Sequence, residues 1–82
     1  VASHAAAVVE VIARALVDAP DAVKVTEHAH RGTTLIELTV AQADAGKVIG
    51  RQGRIAEALR TMVATTAHHQ GEKAVLEIRD AD

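Results

Sequence analysis

Apolar residues recur near the start of the chain at Ala5, Val8, Val9, Ile12 and Leu16, the spacing of one helical face, with Glu10 and Arg14 four apart on the other side. The pattern predicts an amphipathic helix over 5–17. Ser3 supplies an N-cap oxygen, and Asp18-Ala19-Pro20-Asp21 ends the helix, because the residue before a proline is pushed out of the helical region. Val11 and Val17 widen the stripe beyond what a small core needs, a surplus that either packs under a sheet edge or meets a second chain. The period then drops to two. Val23 and Val25 flank Lys24 within 22–28, and Ile36, Leu38 and Val40 share one side of 33–40, so two half-buried strands are expected, joined by a hairpin through His30-Arg31-Gly32.

Residues 41–49 begin too poor in β-branched side chains for a strand and read as a short helix ending at Gly50. A second long helix is expected over 54–66, with Ile55, Leu59, Met62, Val63 and Thr66 on one face and Glu57, Arg60, Thr61 and Thr65 outside. Residues 68–72 read as a polar turn containing Gly71. Alternation returns over 73–79 with Ala74, Leu76 and Ile78 inward, and 80–82 form an acidic tail. Each element has one apolar face to bury, so the order α-β-β-α-α-β predicts an α+β fold, a three-stranded mixed sheet with helices packed on one face.

The stretch that the scaffold presents is Lys47-Val48-Ile49-Gly50-Arg51-Gln52-Gly53-Arg54-Ile55. Glycine has no Cβ, so Gly50 and Gly53 permit a tight turn and let another molecule's backbone approach at contact distance. The helix expected after Gly53 offers unpaired N–H groups and a positive dipole end, while Lys47, Arg51 and Arg54 add mobile positive charge. This chemistry suits a polyanion.

Val48-Ile49-Gly50-Arg51-Gln52-Gly53-Arg54-Ile55 resembles the loop of KH domains, whose GXXG at 50–53 clamps a short run of single-stranded nucleic-acid backbone. The element order over nearly all 82 residues is similar to that of the small stand-alone bacterial KH proteins of the KhpA type, and of type II, with the extra helix and strand ahead of the core. The resemblance implies one KH domain over 1–82 and non-catalytic binding of single-stranded RNA, as an RNA chaperone or post-transcriptional regulator. By motif position, Gly50, Arg51, Gln52 and Gly53 contact the backbone with Lys47 and Arg54 beside them, and Ile49 and Ile55 form the aliphatic floor. Leu76 and Ile78 fall on the strand that resembles the cleft's far wall. About four nucleotides are gripped, and three phosphate contacts give a log–log salt slope of about −2. The resemblance also implies a homodimer, or a heterodimer with a larger KH-containing protein.

Composition modifies this picture in three ways. The formal net charge of −2 is unusual for a nucleic-acid binder, but between positions 46 and 60 Lys47, Arg51, Arg54 and Arg60 face Glu57 alone, so one basic patch sits on an acidic body. Aromatic residues are absent, which removes the stacking platforms that other single-strand binders use, worth about 1–3 kcal/mol per base. Cysteine is absent too, excluding disulfides and thiolate metal sites. No apolar run reaches membrane-spanning length and residues 1–7 lack the pattern of a secretory signal, so a cytoplasmic setting is expected.

Other readings fit these residues less well. A plain helix-turn-helix hairpin needs one glycine at most and has no use for Arg51-Gln52 between two. The same scaffold also suits a protein partner, a dimerisation role or single-stranded DNA. Residues 41–48 imitate the end of a Walker A loop, but Val48 stands where Ser or Thr must hold Mg²⁺ and Ala41 where the first glycine belongs. His28, His30, His68 and His69 form two pairs without metal-ligand spacing, and no nucleophile, base and orienter are grouped, so no metal, cofactor or enzyme activity is expected.

Overall fold

The computed structural model describes residues 3–81. Residues 1–2 and Asp82, the end of the expected acidic tail, lie outside them. Helix α1 (His4–Leu16) begins where the Ser3 Oγ accepts the Ala6 N–H at 3.0 Å, and it closes with the Val17 N–H on the Ala13 carbonyl. Pro20 then opens a 3₁₀ turn (Pro20–Ala22) that takes Ala22 out of the expected first strand. The buried face of α1 is Ala5, Ala6, Val9 and Ala13, with Val17 just beyond the helix, while Leu16 and Val11 are exposed. The expectation that put Leu16 on the core face is corrected. Three of those four buried residues are alanines, and at the end of the helix Val17 is buried where Leu16 is not.

Strands β1 (Lys24–His30) and β2 (Thr33–Ala41) pair antiparallel from Lys24↔Thr39 to His30↔Thr33. Arg31 (φ 51°) and Gly32 (φ 80°) form the two-residue turn, both in the left-handed region, as the twist of a tight hairpin demands. His30 accordingly ends β1 instead of sitting in the connection. Strand β3 (Lys73–Ala81) lies parallel to β2, from Thr33↔Lys73 to Ala41↔Ala81, giving the order β1-β2-β3. Asp80 and Ala81, expected in a tail, are strand residues beside Val40 and Ala41.

Between β2 and β3 run a 3₁₀ turn (Gln42–Asp44), the short helix α2 (Ala45–Ile49) and the long helix α3 (Arg54–His69). Helix α3 outlasts its expected end, and His68 and His69 form its final turn instead of a polar loop. Ala67, 3% exposed, anchors that turn to the helix's buried face. Gly71 (φ 72°) then ends the helix, with the Glu72 N–H on the Ala67 carbonyl at 2.8 Å and the Gly71 N–H on His68 at 3.0 Å, the paired bonds of a Schellman motif.

The fold is α+β, with three helices against one face of a mixed sheet. Ile36, Leu38 and Val40 of β2 meet Val9, Val48 and Val63 of the three helices, all fully buried, and Leu76 of β3 joins them. The other face of the sheet is open. There Glu37 accepts from His28 Nε2 at 2.8 Å and pairs with Arg79 at 3.2 Å, and Arg79 also binds Glu77 at 2.6 Å, tying the three strands together. Among the described residues no helix is long and apolar enough to cross a membrane.

Candidate nucleic-acid interface

The loop between α2 and α3 is built from its glycines outward. Gly50 has φ 79° and ψ 173°, a region that only glycine occupies comfortably, and its N–H closes α2 on the Gly46 carbonyl at 2.9 Å. A Cβ at Gly50 would stand 2.6 Å from Ile55 Cγ1. Ile55 therefore packs directly on the Gly50 backbone, a contact that both fixes the loop and forbids any larger residue. Gly53 differs. It is left-handed at φ 73°, but a Cβ there would meet nothing within 4 Å. Gln52 between them is also left-handed (φ 58°, ψ 24°).

The loop bonds internally through the N–H groups of Gly53, on the Gly50 carbonyl, and Arg54, on the Arg51 carbonyl. Among the described residues the N–H groups of Arg51 and Gln52 have no acceptor, and no side chain caps the start of α3. Successive free N–H groups at such a bend form a concavity suited to an anion. The Arg51 side chain is exposed and makes no ion pair or hydrogen bond among the described residues, whereas Arg54 donates to Gln52 Oε1 at 3.1 Å.

Lys47 is not the mobile cation that the sequence suggests. Its Nζ lies 3.2 Å from Asp18 Oδ2 and 3.3 Å from Asp44 Oδ1, and hydrogen bonds to Asp18 and then Asp44 raise its pKa above the usual lysine range. Asp44 is 2% exposed. Burial alone would push its carboxyl up, but the N–H groups of Ala19 and Asp18 and the ammonium of Lys47 together outweigh that and hold it below the usual carboxylate range. The Ala19 bond is 3.0 Å. These contacts fasten the start of α2 to the segment that follows α1, and α2 carries the loop.

Opposite α2 lies the end of β3. A groove of about 410 Å³ between them is lined by Ala45, Ile49, Ile78, Arg79 and Asp80. Ile49, assigned from sequence to the cleft's floor, and Ile78, assigned to its far wall, are thus brought together. Ile49 is 40% exposed, an apolar side chain left open toward this space. Leu76, placed on the same wall from sequence, is buried in the core and reaches the groove only as support, and Ile55 is half-buried under Gly50. Sequence reasoning missed Arg79, which fell outside the inward set of the expected strand, and Asp80, because the strand was expected to stop at residue 79 and no local signal extends it. Two larger depressions lie elsewhere, one along the outer side of α3 around Met62 and one around Glu27 and Glu72 near the start of α1. Neither lies between α2, which leads into the loop, and a strand, so geometry favours the smaller groove. Among the described residues no three His, Cys, Asp or Glu side chains are grouped to hold a metal ion.

Comparison with known proteins bears on the family and the fold. The family model described as KhpA/KhpB, KH domain, matches residues 6–78. The RNA-binding protein KhpA of Caldanaerobacter subterraneus subsp. tengcongensis is 54% identical over 71 residues, covering 85% of this chain and 93% of that protein. The RNA-binding proteins KhpA of Clostridium acetobutylicum (48% identical, 84% of this chain and 92% of the relative) and Treponema pallidum (51%, 84% and 86%) are similar to the same extent. Among solved structures, a point variant of Aquifex aeolicus Era bound to GDP.AlF4- superposes with a TM-score of 0.64 at 18% identity, over 94% of this chain and 30% of that one, a likeness of fold alone. With its GXXG loop, mixed sheet and near-complete match to that family model, the chain belongs to the KhpA/KhpB family of KH domains.

Proposed function

We propose that the chain binds single-stranded RNA without catalysis, holding about four nucleotides between the GXXG loop and the edge of β3. One observation carries this reading: the exposed Ile49, which faces the half-buried Ile78 across a groove, leads directly into the loop whose Arg51 and Gln52 N–H groups are unpartnered among the described residues. Phosphates are received by those N–H groups and by the guanidinium of Arg51, with Arg54 beside it. Gly50 and Gly53 let the sugar–phosphate backbone come close, and the isoleucines pack against bases that no aromatic ring is present to stack. Lys47 serves by holding α2 in place, and Ile55 and Leu76 by supporting the loop and the strand from beneath. Relatives of about 50% identity are named RNA-binding proteins, which supports RNA as the ligand.

A single KH unit in the cytoplasm, acting as an RNA chaperone or post-transcriptional regulator, is the setting that fits this chemistry. Four nucleotides on one aliphatic groove give weak affinity, and pairing with a second copy or with a larger KH-containing chain would raise it by linking two sites. The test is a ¹H–¹⁵N titration with a short single-stranded RNA. Shifts confined to residues 49–55 and 78–80 are expected. Shifts centred on the outer side of α3 or on the open face of the sheet would overturn the assignment, and silence with RNA but shifts with single-stranded DNA or a protein partner would redirect it to those ligands.

A further inference from the structure

The groove holds one side chain that backbone binding does not explain. Alternation along β3 turns Leu76, Ile78 and Asp80 to the helix side of the sheet: Leu76 enters the core, Ile78 packs half-buried beside it, and Asp80 is exposed at the groove. Its companions there are the aliphatic Ala45, Ile49 and Ile78, together with Arg79. Among the described residues the Asp80 carboxylate makes no hydrogen bond or ion pair, and the guanidinium of Arg79 is occupied by Glu77 and Glu37. Asp80 therefore leaves both carboxylate oxygens free in the groove proposed above to hold RNA.

A bare carboxylate repels phosphate, so what it attracts must be an uncharged part of a nucleotide that carries N–H donors. An ionised carboxylate only accepts. The Watson–Crick edge of guanine presents N1–H and an N2 amine side by side, a match for two carboxylate oxygens. Cytosine and adenine present one amine each. Uracil presents a single N3–H between two carbonyl oxygens, which the carboxylate repels. Resting on the RNA-binding reading above, we propose that Asp80 determines base specificity, accepting from the Watson–Crick edge of a guanine held against Ile49 and Ile78 and discriminating against uracil.

The experiment measures anisotropy with a fluorescein-labelled oligouridylate of about eight nucleotides and with versions carrying two central guanines, cytosines or adenines, each titrated with wild type and Asp80→Asn. Asparagine keeps the shape but offers one acceptor and one donor. Wild type is expected to bind the guanine RNA at least about fivefold more tightly than oligouridylate, the scale of one bidentate base contact. Asp80→Asn is expected to shrink that ratio below about twofold while binding oligouridylate more tightly. Asp80 is exposed and unpaired, so the variant keeps its fold, which thermal unfolding by circular dichroism verifies.

If Asp80→Asn tightens all four RNAs by one common factor, Asp80 is only a surface charge and the proposal fails. It fails equally if wild type binds all four alike. The same guanine preference in an oligothymidylate frame supports a base contact, and its loss there would move the contact to the ribose hydroxyl and overturn the guanine assignment. Absence of binding to every RNA by wild type would instead remove the RNA-binding reading itself.

Discussion

The two ends of the GXXG loop are built differently. At the first end, Gly50 sits in a backbone region reserved for glycine, Ile55 fills the space a Cβ would need, and α2 is fastened through Asp44 to the N–H of Ala19 and through Lys47 to Asp18. At the second end, Gly53 is left-handed but surrounded by open space, Gln52 and Arg51 are exposed, and two N–H groups have no acceptor. One end fixes geometry and the other offers chemistry. A loop that grips a flexible strand needs both, because free donors attract an anion only weakly unless the backbone holding them is already in place.

Alanine at each glycine breaks this contrast most sharply. Gly50→Ala forces a Cβ against Ile55 and strains a glycine-only backbone, so the protein is expected to lose about 2–4 kcal/mol of stability and most RNA binding. Gly53→Ala meets no clash and costs about 1 kcal/mol for the left-handed backbone, with RNA affinity reduced only severalfold. Chemical denaturation of both variants checks the ranking, and equal losses at the two positions would dissolve the distinction.

Asp44→Asn is the next smaller effect and carries a pH dependence. The fold holds the Asp44 carboxyl below its ordinary pKa, so its contribution to stability is present above about pH 4 and is lost as pH falls through the lowered folded value. Melting temperatures of wild type are expected to fall on acidification across that range, and Asp44→Asn, less stable at neutral pH, is expected to show a shallower fall. RNA affinity of the variant weakens as well, because α2 is released from the segment after α1 while the donors of Arg51 and Gln52 are untouched.

The order of elements, the mixed sheet, the Ser3 cap and the tight turn at Gly50 were legible in the sequence, since each depends on periodicity or on residues close in the chain. What escaped depends on three-dimensional neighbours. The pairing of Lys47 with Asp18 joins two segments separated by the whole β-hairpin, so the lysine reads as free cation when the loop is viewed alone. The place of Asp80 depends on β3 continuing beside Val40 and Ala41, which its polar sequence does not announce. The burial of Ala13 and Val17 with Leu16 left exposed depends on how the end of α1 is packed in three dimensions, which hydrophobicity alone does not encode.

With Lys47 committed to two carboxylates, Arg51 and Arg54 remain as the cations beside the loop. Binding of labelled single-stranded RNA, followed by anisotropy across a salt series for wild type and for R51D/Q52D, tests the central claim most directly. Both substituted positions are exposed and aspartate tolerates the left-handed backbone at position 52, so the double variant keeps its fold. The account predicts a salt-dependent affinity in wild type with a log–log slope of about −1.4, for two phosphate-neutralising cations on a single strand, and loss of binding in the variant. Equal binding by both proteins, or an affinity indifferent to salt, would contradict it.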